Sequence, residues 1–287
     1  MTTFAYHRPD TVEDLRRVLA ETPGPVELLA GGTDVLVGVT KRTSHPKAII
    51  DLKRVEVLSS AIESHDGALR VGALALLRDL IDDDRIQRDF EALVEAAAVV
   101  GSVQIRNRAT LVGNVCNASP AADTIPTLLV YGARVNVLGA DGERTVPLEE
   151  FFTGPGTTVL RLGDLVTSID LPAPTGPRGA AFDRLTRRRG FDLGTVSVAC
   201  LVAPGMPTRF GLGAVAPTPL FALDEWGVLG PSAGDPAAED RALAELAACA
   251  SPISDVRGSR EYRLAMLAVL CRRVLALARA RLAGDLR

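Results

Sequence analysis

The chain has 287 residues, of which 47% are hydrophobic and 23% are charged, and its formal net charge is −3. This length suggests two domains with buried cores, and the mild acidity gives no electrostatic reason to expect a nucleic-acid partner. No apolar run is long enough to cross a bilayer and no signal peptide is evident, so we expect a cytoplasmic protein.

The cysteines and histidines are too dispersed to form a metal centre. The four cysteines lie far apart without a Cys-x-x-Cys pair, and the three histidines are at positions 7, 45 and 65. Because an iron–sulfur cluster needs a local set of thiolates, we predict no metal ligands in this chain. No nucleophile with a neighbouring base and no pair of carboxylates suited to hydrolysis is apparent, so we predict no catalytic side chain.

The first 54 residues show the pattern of a small β-α-β-like unit. Strands are predicted over 4–9, 26–30 and 48–52, a helix over 11–21, and a helix or irregular turn over 34–39. The predicted helix carries apolar residues at helical spacing, and Pro23-Gly24-Pro25 ends it.

The next segment is richer in strands. We predict strands over 55–63 and 68–71 around the turn Asp66-Gly67, a continuation over 72–81, and a solvated acidic turn over 82–85. Helices are predicted over 90–100 and 122–131, and further strands over 134–138, 145–148 and 165–171.

A proline-rich connector marks the clearest boundary. Residues 172–177 contain three prolines and a glycine, which is typical of a stiff, extended linker. Beyond it, strands over 180–186, 196–202 and 209–215 predict an antiparallel sheet, and helices are predicted over 237–250 and 260–282. We therefore expect two domains, one over 1–176 with subdomains of about 1–54 and 55–176, and one over 177–287.

Two stretches of small residues are candidates for binding an anion. The first is Leu28-Leu29-Ala30-Gly31-Gly32-Thr33-Asp34-Val35-Leu36, an apolar strand that ends in two glycines, a hydroxyl and a carboxylate. Such a turn presents backbone N–H groups to a phosphate. It is neither a Walker A loop nor a dinucleotide-fold fingerprint, because the required lysine and third glycine are missing. A helix cap at Thr33 and a solvated loop carboxylate at Asp34 are the structural alternatives.

The second stretch runs from Gln104 to Asp123 and carries no long side chain after Arg108. Glycine, alanine, serine, threonine and asparagine let a ligand lie directly on the backbone. Asp123 closes the run, where it could accept a hydrogen bond from a ligand hydroxyl or cap the following helix. Two such small-residue stretches could bind a pyrophosphate from both sides. The structural alternative for the second stretch is a tight turn packed in the core.

Together the two loops resemble the FAD-binding subunit of molybdenum hydroxylases, the family of xanthine dehydrogenase and carbon monoxide dehydrogenase. Residues 30–34 match the family's Ala-Gly-Gly-(Thr/His/Asn)-(Asp/Ser) loop, residues 110–114 its Thr-Ile-Gly-Gly-Asn run, and residues 118–123 its Ala-Ser-Pro-x-x-Asp run. Val112 stands where the family has the first glycine of the pair. The resemblance continues through 187–199 and 255–273, so it covers nearly the whole chain.

The resemblance implies an α+β fold. A two-subdomain FAD-binding fold (PCMH-type, vanillyl-alcohol-oxidase-like) would be followed by a C-terminal antiparallel sheet with helices, like that of the carbon monoxide dehydrogenase flavoprotein. It also implies that the cation of Arg184 lies near the isoalloxazine edge, where it would raise the reduction potential of the flavin. The alternative for Arg184 is an ordinary arginine on a strand surface. Asp192 is implied to lie near the flavin face. The implied FAD-binding residues are Leu29, Ala30, Gly31, Gly32, Thr33, Asp34, Val35, Leu36, Thr110, Leu111, Gly113, Asn114, Ala118, Ser119, Asp123, Arg184 and Asp192.

The function implied is that of an electron-transfer subunit in a heterotrimer. A large molybdopterin-binding subunit and a small [2Fe–2S] subunit would be the partners, and electrons would pass through FAD to NAD⁺, a quinone, another carrier or O₂. Two alternatives stay open: a self-sufficient FAD-dependent oxidase or reductase, and a flavin-free scaffold subunit, which Val112 favours.

Overall fold

The computed structural model describes residues 3–188, 190–232 and 234–285. It begins with β1 (Ala5–His7), α1 (Val12–Glu21), β2 (Val26–Leu29), α2 (Val35–Lys41) and β3 (Ala48–Asp51). The three strands are parallel, with β3 between β1 and β2. Thr11 caps α1 by accepting a hydrogen bond from the backbone N–H of Asp14. The predicted β-α-β-like unit is confirmed.

The second unit is built on a five-stranded antiparallel sheet. Its strands are β4 (Ile62–His65), β5 (Ala68–Gly72), β6 (Arg134–Gly139), β7 (Gly142–Pro147) and β10 (Leu165–Pro172). Between β7 and β10, β8 (Phe152–Gly154) and β9 (Thr157–Thr158) form a separate two-stranded pair. The order across the sheet is β4-β5-β10-β6-β7. Strand β10 is the last of these strands in the chain but lies at the centre of the sheet, between β5 and β6. The parts of the chain before and after the intervening helices therefore share one core.

Six short helices lie between β5 and β6. They are α3 (Leu77–Asp82), α4 (Asp84–Asp89), α5 (Glu91–Ala98), α6 (Val103–Arg106), α7 (Leu111–Cys116) and α8 (Thr124–Val130). The predicted acidic turn over 82–85 is wrong, because the Asp83 carboxylate caps α4 by accepting from the backbone N–H groups of Arg85 and Ile86. The predicted continuation over 72–81 is likewise replaced by α3.

The predicted strand over 55–63 is wrong for most of its length. A single 3-10 turn spans Leu52–Arg54, and regular pairing begins only at Ile62. Val55 and Leu58 are buried in the core from irregular backbone. Their apolar character therefore reflects burial and not strand periodicity.

The C-terminal part is an antiparallel sheet covered by helices on both faces. Strands β11 (Gly179–Leu185), β12 (Val196–Val202), β13 (Thr208–Gly213) and β14 (Leu220–Asp224) pair in chain order, and α9 (Pro236–Ala248) and α10 (Arg260–Ala283) follow. Strand β14 was not predicted; Pro217 and Pro219 lie directly before it. Helix α10 packs on β11 and β12, while α5 and α8 pack against the sheet from the preceding part of the chain.

Close backbone approaches bring these layers together. A Cβ at Gly179 would overlap the carbonyl oxygen of Ala278 on α10, and one at Gly211 would overlap that of Pro126 on α8. Every residue of β12 is buried, as expected for a strand with helices on both faces. Among the described residues, no helix is both long enough and apolar enough to cross a membrane.

Candidate functional site

The first loop leaves the sheet at the end of β2 and turns into α2. Gly32 has a φ of +78°, in the left-handed region that favours glycine. The backbone N–H of Leu36 donates to the carbonyl of Gly32 at 3.0 Å, which starts the helix. Thr33 is not the helix cap, because Asp34 occupies the N-cap position of α2. The side chain of Asp34 makes no capping hydrogen bond.

The second loop contains more regular structure than its composition indicates. Helices α6 and α7 occupy much of it, and Thr110 Oγ1 caps α7 by accepting from the backbone N–H of Gly113 at 3.0 Å. The backbone N–H of Leu77 donates to the carbonyl of Ala109 at 2.8 Å, which holds the start of α7 against α3. The interpretation of this stretch as an open small-residue loop is therefore corrected to two short helical turns.

The two loops touch each other through Gly31. A Cβ at this position would overlap the carbonyl oxygen of Arg108 and lie 3.0 Å from the Cα of Ala109. The absence of a side chain at Gly31 is thus what allows the end of β2 to lie against the segment that precedes Thr110.

Both loops line one cavity of about 480 Å³. This volume is typical of a small-molecule or cofactor site. The structure brings eight of the predicted residues to its wall: Ala30, Gly31, Gly32, Thr33, Asp34, Val35, Thr110 and Gly113. Val112 also lines the cavity and is 5% exposed, so its side chain both packs in the core and forms part of the wall.

Further residues at the wall were missed by the sequence analysis. Most of them come from segments outside the two predicted stretches, where no local motif marks them: Val26, Glu27, Leu28, Leu52, Leu58, Ala73, Leu74, Cys116, Asn117, Gly156, Leu160, Asp164, Leu165 and Val166. Burial raises the pKa of the Cys116 thiol to about 12, so at neutral pH it is an uncharged, largely apolar part of the wall. Leu28, Cys116 and Asn117 adjoin or fall within the two predicted stretches, and this proximity is the only signal that could have found them.

Glu27, Asp34 and Asp164 bring carboxylates to the cavity wall, and the two aspartates lie in different electrostatic settings. The carboxylate of Asp164 receives a hydrogen bond from the Arg144 guanidinium at 2.6 Å, which lowers its pKa. Asp34 also lines the cavity, and desolvation by the adjacent protein raises its pKa. No lysine or arginine lines this cavity in the described part of the chain, and its uncharged side-chain donors are the hydroxyls of Thr33 and Thr110 and the amide of Asn117.

Asp123 and Arg184 form a buried ion pair away from the cavity wall. Their closest nitrogen–oxygen distance is 2.5 Å, and their side chains are 6% and 12% exposed. Arg184 also donates to the carbonyl oxygens of Val99 at 2.9 Å and Asp192 at 3.3 Å. Arg184 is therefore not an ordinary surface arginine, and Asp123 binds it in place of capping α8.

One oxygen of this pair has no protein partner. Asp123 Oδ1 is buried without a hydrogen bond, and burial raises the carboxyl pKa to about 6 against the attraction of Arg184. The side chain of Asp192 pairs instead with Arg187 at 3.1 Å. Arg189, in the same basic run, lies outside the described residues.

The other predicted residues of the two loops do not line the cavity. Asn114 Oδ1 accepts from the Thr124 hydroxyl at 2.6 Å, and Ser119 Oγ accepts from the backbone N–H of Ala121 at 3.3 Å. Ala118 has a φ of +48° and its carbonyl accepts from the N–H of Gly156 at 3.0 Å. Leu29 and Leu111 are buried next to the wall, and Leu36 is exposed.

Comparison with known families accounts for both halves of the chain. The FAD binding domain in molybdopterin dehydrogenase matches residues 2–174, and the CO dehydrogenase flavoprotein C-terminal domain matches residues 180–278. The chain belongs to the FAD-binding medium subunits of the molybdenum hydroxylases. It is thus an oxidoreductase subunit of the xanthine dehydrogenase and CO dehydrogenase type, and the α+β fold class is confirmed.

Individual relatives of this medium subunit span its full length. A putative xanthine dehydrogenase FAD-binding subunit of Escherichia coli is 31% identical over 100% of both chains. The carbon monoxide dehydrogenase medium chain of Afipia carboxidovorans is 30% identical over 97% of this chain and 98% of its own. A solved Cu,Mo-CO dehydrogenase structure contains a chain with a TM-score of 0.89, 31% identity, and coverage of 97% and 98%.

The residues of the medium subunit fit an FAD molecule. The glycine at position 31 leaves no side chain where the loops meet, and Thr33 and Thr110 supply hydroxyls at the same cavity. The remaining wall is mostly apolar, as suits a flat aromatic ring system. The unpartnered Oδ1 of Asp123 is a free acceptor for a hydroxyl donor.

Proposed function

We propose that this medium subunit takes electrons from a [2Fe–2S] partner subunit and delivers them through FAD to a terminal acceptor. NAD⁺, a quinone, another carrier and O₂ are the candidate acceptors. A large molybdopterin-binding subunit would carry the substrate chemistry, as expected for a chain related to the medium chain of a CO dehydrogenase. FAD supplies the redox chemistry when it is bound, and the protein binds and orients it.

The observation that carries this proposal is the meeting of two glycine-containing loops at one cavity. Gly31 and Thr110 line the same wall although 79 positions separate them in the sequence. We propose that residues 31–34 hold the pyrophosphate from one side and that Thr110, Gly113 and Asn114 hold it from the other. In general, several backbone N–H groups that converge on one point can bind an anion without a charged side chain.

Asp123, Arg184 and Asp192 have a separate part in this proposal. Asp123 would accept a hydrogen bond from a flavin hydroxyl through Oδ1, and Arg184 would hold the carboxylate in place. Because Arg184 also binds the carbonyl of Asp192, it joins the beginning of α8 to the segment after β11. We propose that the FAD-binding domain is 1–176 and that the domain over 177–287 closes over the flavin from this side.

Purification of the intact complex from its native source tests the proposal. Wild-type complex should contain FAD, molybdenum and iron, and its substrate should reduce both the iron–sulfur centres and the flavin. A complex carrying Gly31→Ala should keep substrate-dependent reduction of the iron–sulfur centres and lose electron delivery to the acceptor. Retained delivery without flavin, or a chain that purifies without any partner and oxidises a substrate alone, would overturn the electron-transfer role.

A further inference from the structure

A second cavity lies between the proline-rich connector and the C-terminal sheet. Its volume is about 410 Å³, and it shares no lining residue with the cavity between the two loops. We call it the linker cavity, and its wall includes most of the proline-rich connector together with Tyr131, Arg178, Leu201, Met206 and Arg209. Two arginines face a wall that is otherwise apolar or uncharged.

Each arginine is held in place by the end of a helix. Arg178 Nη2 donates to the carbonyl of Asp89, the last residue of α4, at 2.6 Å. Arg209 Nη1 donates to the carbonyl of Val130, the last residue of α8, at 3.1 Å. The Arg178 guanidinium also lies 5.0 Å from the ring centroid of Phe90 and 4.9 Å from that of Tyr131. Both side chains are therefore positioned before any ligand arrives.

Neither arginine forms a direct salt bridge with a carboxylate among the described residues, although Asp89 and Glu91 act on Arg178 from a greater distance. The nearby Asp89 pairs with Arg88 at 2.5 Å, and Glu91 with Arg281 at 3.7 Å. Burial lowers the pKa of Arg178; the nearby Tyr131, Asp89 and Glu91 oppose this lowering, and the positive charge of Arg209 adds to it. Two like charges thus face one cavity, and an anion between them would relieve their repulsion.

The donors needed for such an anion are present. A guanidinium carries five N–H donors, and the contacts above use one from each arginine. A carboxylate or a phosphate oxygen accepts two parallel hydrogen bonds from a guanidinium, which is the geometry that arginine favours. The apolar side chains of Leu201 and Met206 on the same wall would contact a hydrocarbon or aromatic group and not a bare ion.

We propose that the linker cavity binds a small organic oxyanion, with its carboxylate or phosphate group between Arg178 and Arg209. The apolar body of the ligand lies against Leu201 and Met206. Because the wall includes the connector and the ends of β12 and β13, a bound anion fixes the connector against the C-terminal sheet. This site does not depend on FAD binding at the other cavity.

Calorimetric titration of the full chain with benzoate, phenyl phosphate and inorganic phosphate tests this site. FAD is supplied in excess, so that the other cavity does not take up the phosphate probes. At least one organic anion should bind with one-to-one stoichiometry, and neutral benzamide should not bind. Arg209→Gln should weaken binding at least about tenfold, the loss of one charge-assisted hydrogen bond. The matched control is Arg134→Gln, which removes the same charge from an exposed position on β6.

Several results would overturn the site. Absence of binding by all three anions would do so, as would an equal loss of affinity in the Arg134 variant. Equal affinity for inorganic and phenyl phosphate would overturn the assignment of an organic ligand. Since Arg209 also holds the end of α8, crystals of the unaltered protein soaked with 4-bromobenzoate give an independent test: the anomalous bromine signal should lie in the linker cavity and nowhere else.

Discussion

The backbone of Gly31 lies directly against the carbonyl oxygen of Arg108, and this contact joins the two loops that line the larger cavity. Any side chain at position 31 would push the end of β2 away from the segment that leads into Thr110. Both loops therefore form the wall of the cavity, and a substitution that shifts one loop also shifts the other. This relationship makes specific substitutions informative.

Replacement of Gly31 by alanine should separate the loops. Its Cβ would overlap the Arg108 carbonyl, which is backbone and cannot rotate away. Overpacking of this kind costs about 1–3 kcal/mol, and we expect the FAD content of the purified chain to fall together with its unfolding temperature. Gly176→Ala is the matched control, because nothing lies within 4 Å of a Cβ at that position. Wild-type FAD content in the Gly31 variant would contradict the account of the loops.

Thr110→Val should weaken the start of α7. The buried hydroxyl accepts a hydrogen bond from the N–H of Gly113 at 3.0 Å, and valine keeps the shape but not the acceptor. Loss of such a cap costs about 1 kcal/mol, so we expect a lower unfolding temperature and weaker FAD binding in a fluorescence titration. Thr110→Ser retains the hydroxyl and should bind FAD nearly as the wild type does. Equal loss in the serine variant would show that the hydroxyl is not the cause.

Arg184→Gln should lower the reduction potential of the bound flavin. The guanidinium joins Asp123 to the carbonyls of Val99 and Asp192, and its removal takes a positive charge away from the proposed flavin edge. A shift of about 30 mV corresponds to about 1.4 kcal/mol for a two-electron couple, and redox titration with dye standards measures it. Arg184→Lys keeps the charge and should stay closer to the wild type. An unchanged potential in the glutamine variant would restrict Arg184 to a structural role.

Asp255→Asn should destabilise the C-terminal sheet in a pH-dependent way. Asp255 binds Arg263, whose side chain is 1% exposed, at 2.7 Å. Burial alone would raise the pKa of Asp255, but hydrogen bonds from Arg257 and Arg263 hold it well below its usual range. Removal of this carboxylate leaves a buried cation unpaired, which costs about 3 kcal/mol at neutral pH.

The sign of this pH effect follows from the lowered pKa. The stabilisation by Asp255 is complete above the unfolded-state pKa of about 4 and is lost as the pH falls further. Unfolding temperatures of wild type and Asp255→Asn should therefore differ most at neutral pH and converge in acid. Asp141→Asn, at a side chain that is 94% exposed, is the control and should show little difference at any pH. A difference that stays constant in acid would exclude the proposed ion pair as its source.

The sequence allowed the two loops to be predicted, because glycine and threonine positions are visible locally. It could not show that Gly31 meets Arg108, since that contact depends on the packing of β2 against a segment about 77 positions away. The helix α7 was missed for a related reason: Thr110 caps it without the acidic residue that usually marks a capping box. The small residues of this stretch are compatible with a short helix as well as with a close approach of the backbone to a ligand.

Long-range pairing also explains what the sequence analysis left open at Arg184. The residue was placed near the flavin by resemblance, but its partner Asp123 lies 61 positions earlier on another element. The strand predicted over 55–63 fails for a different reason. Val55 and Leu58 are buried, as their apolar character indicates, but their backbone is not paired with another strand. Apolar spacing reports burial reliably and the conformation of the backbone less so.

The measurement that tests the central claim most directly is the visible absorption spectrum of the purified chain, followed by identification of the cofactor released on heating. We expect an oxidised-flavin spectrum, one FAD per chain, and loss of both in Gly31→Ala but not in Gly176→Ala. A colourless wild-type chain that also fails to bind added FAD would contradict the two-loop cofactor site and favour a flavin-free scaffold subunit.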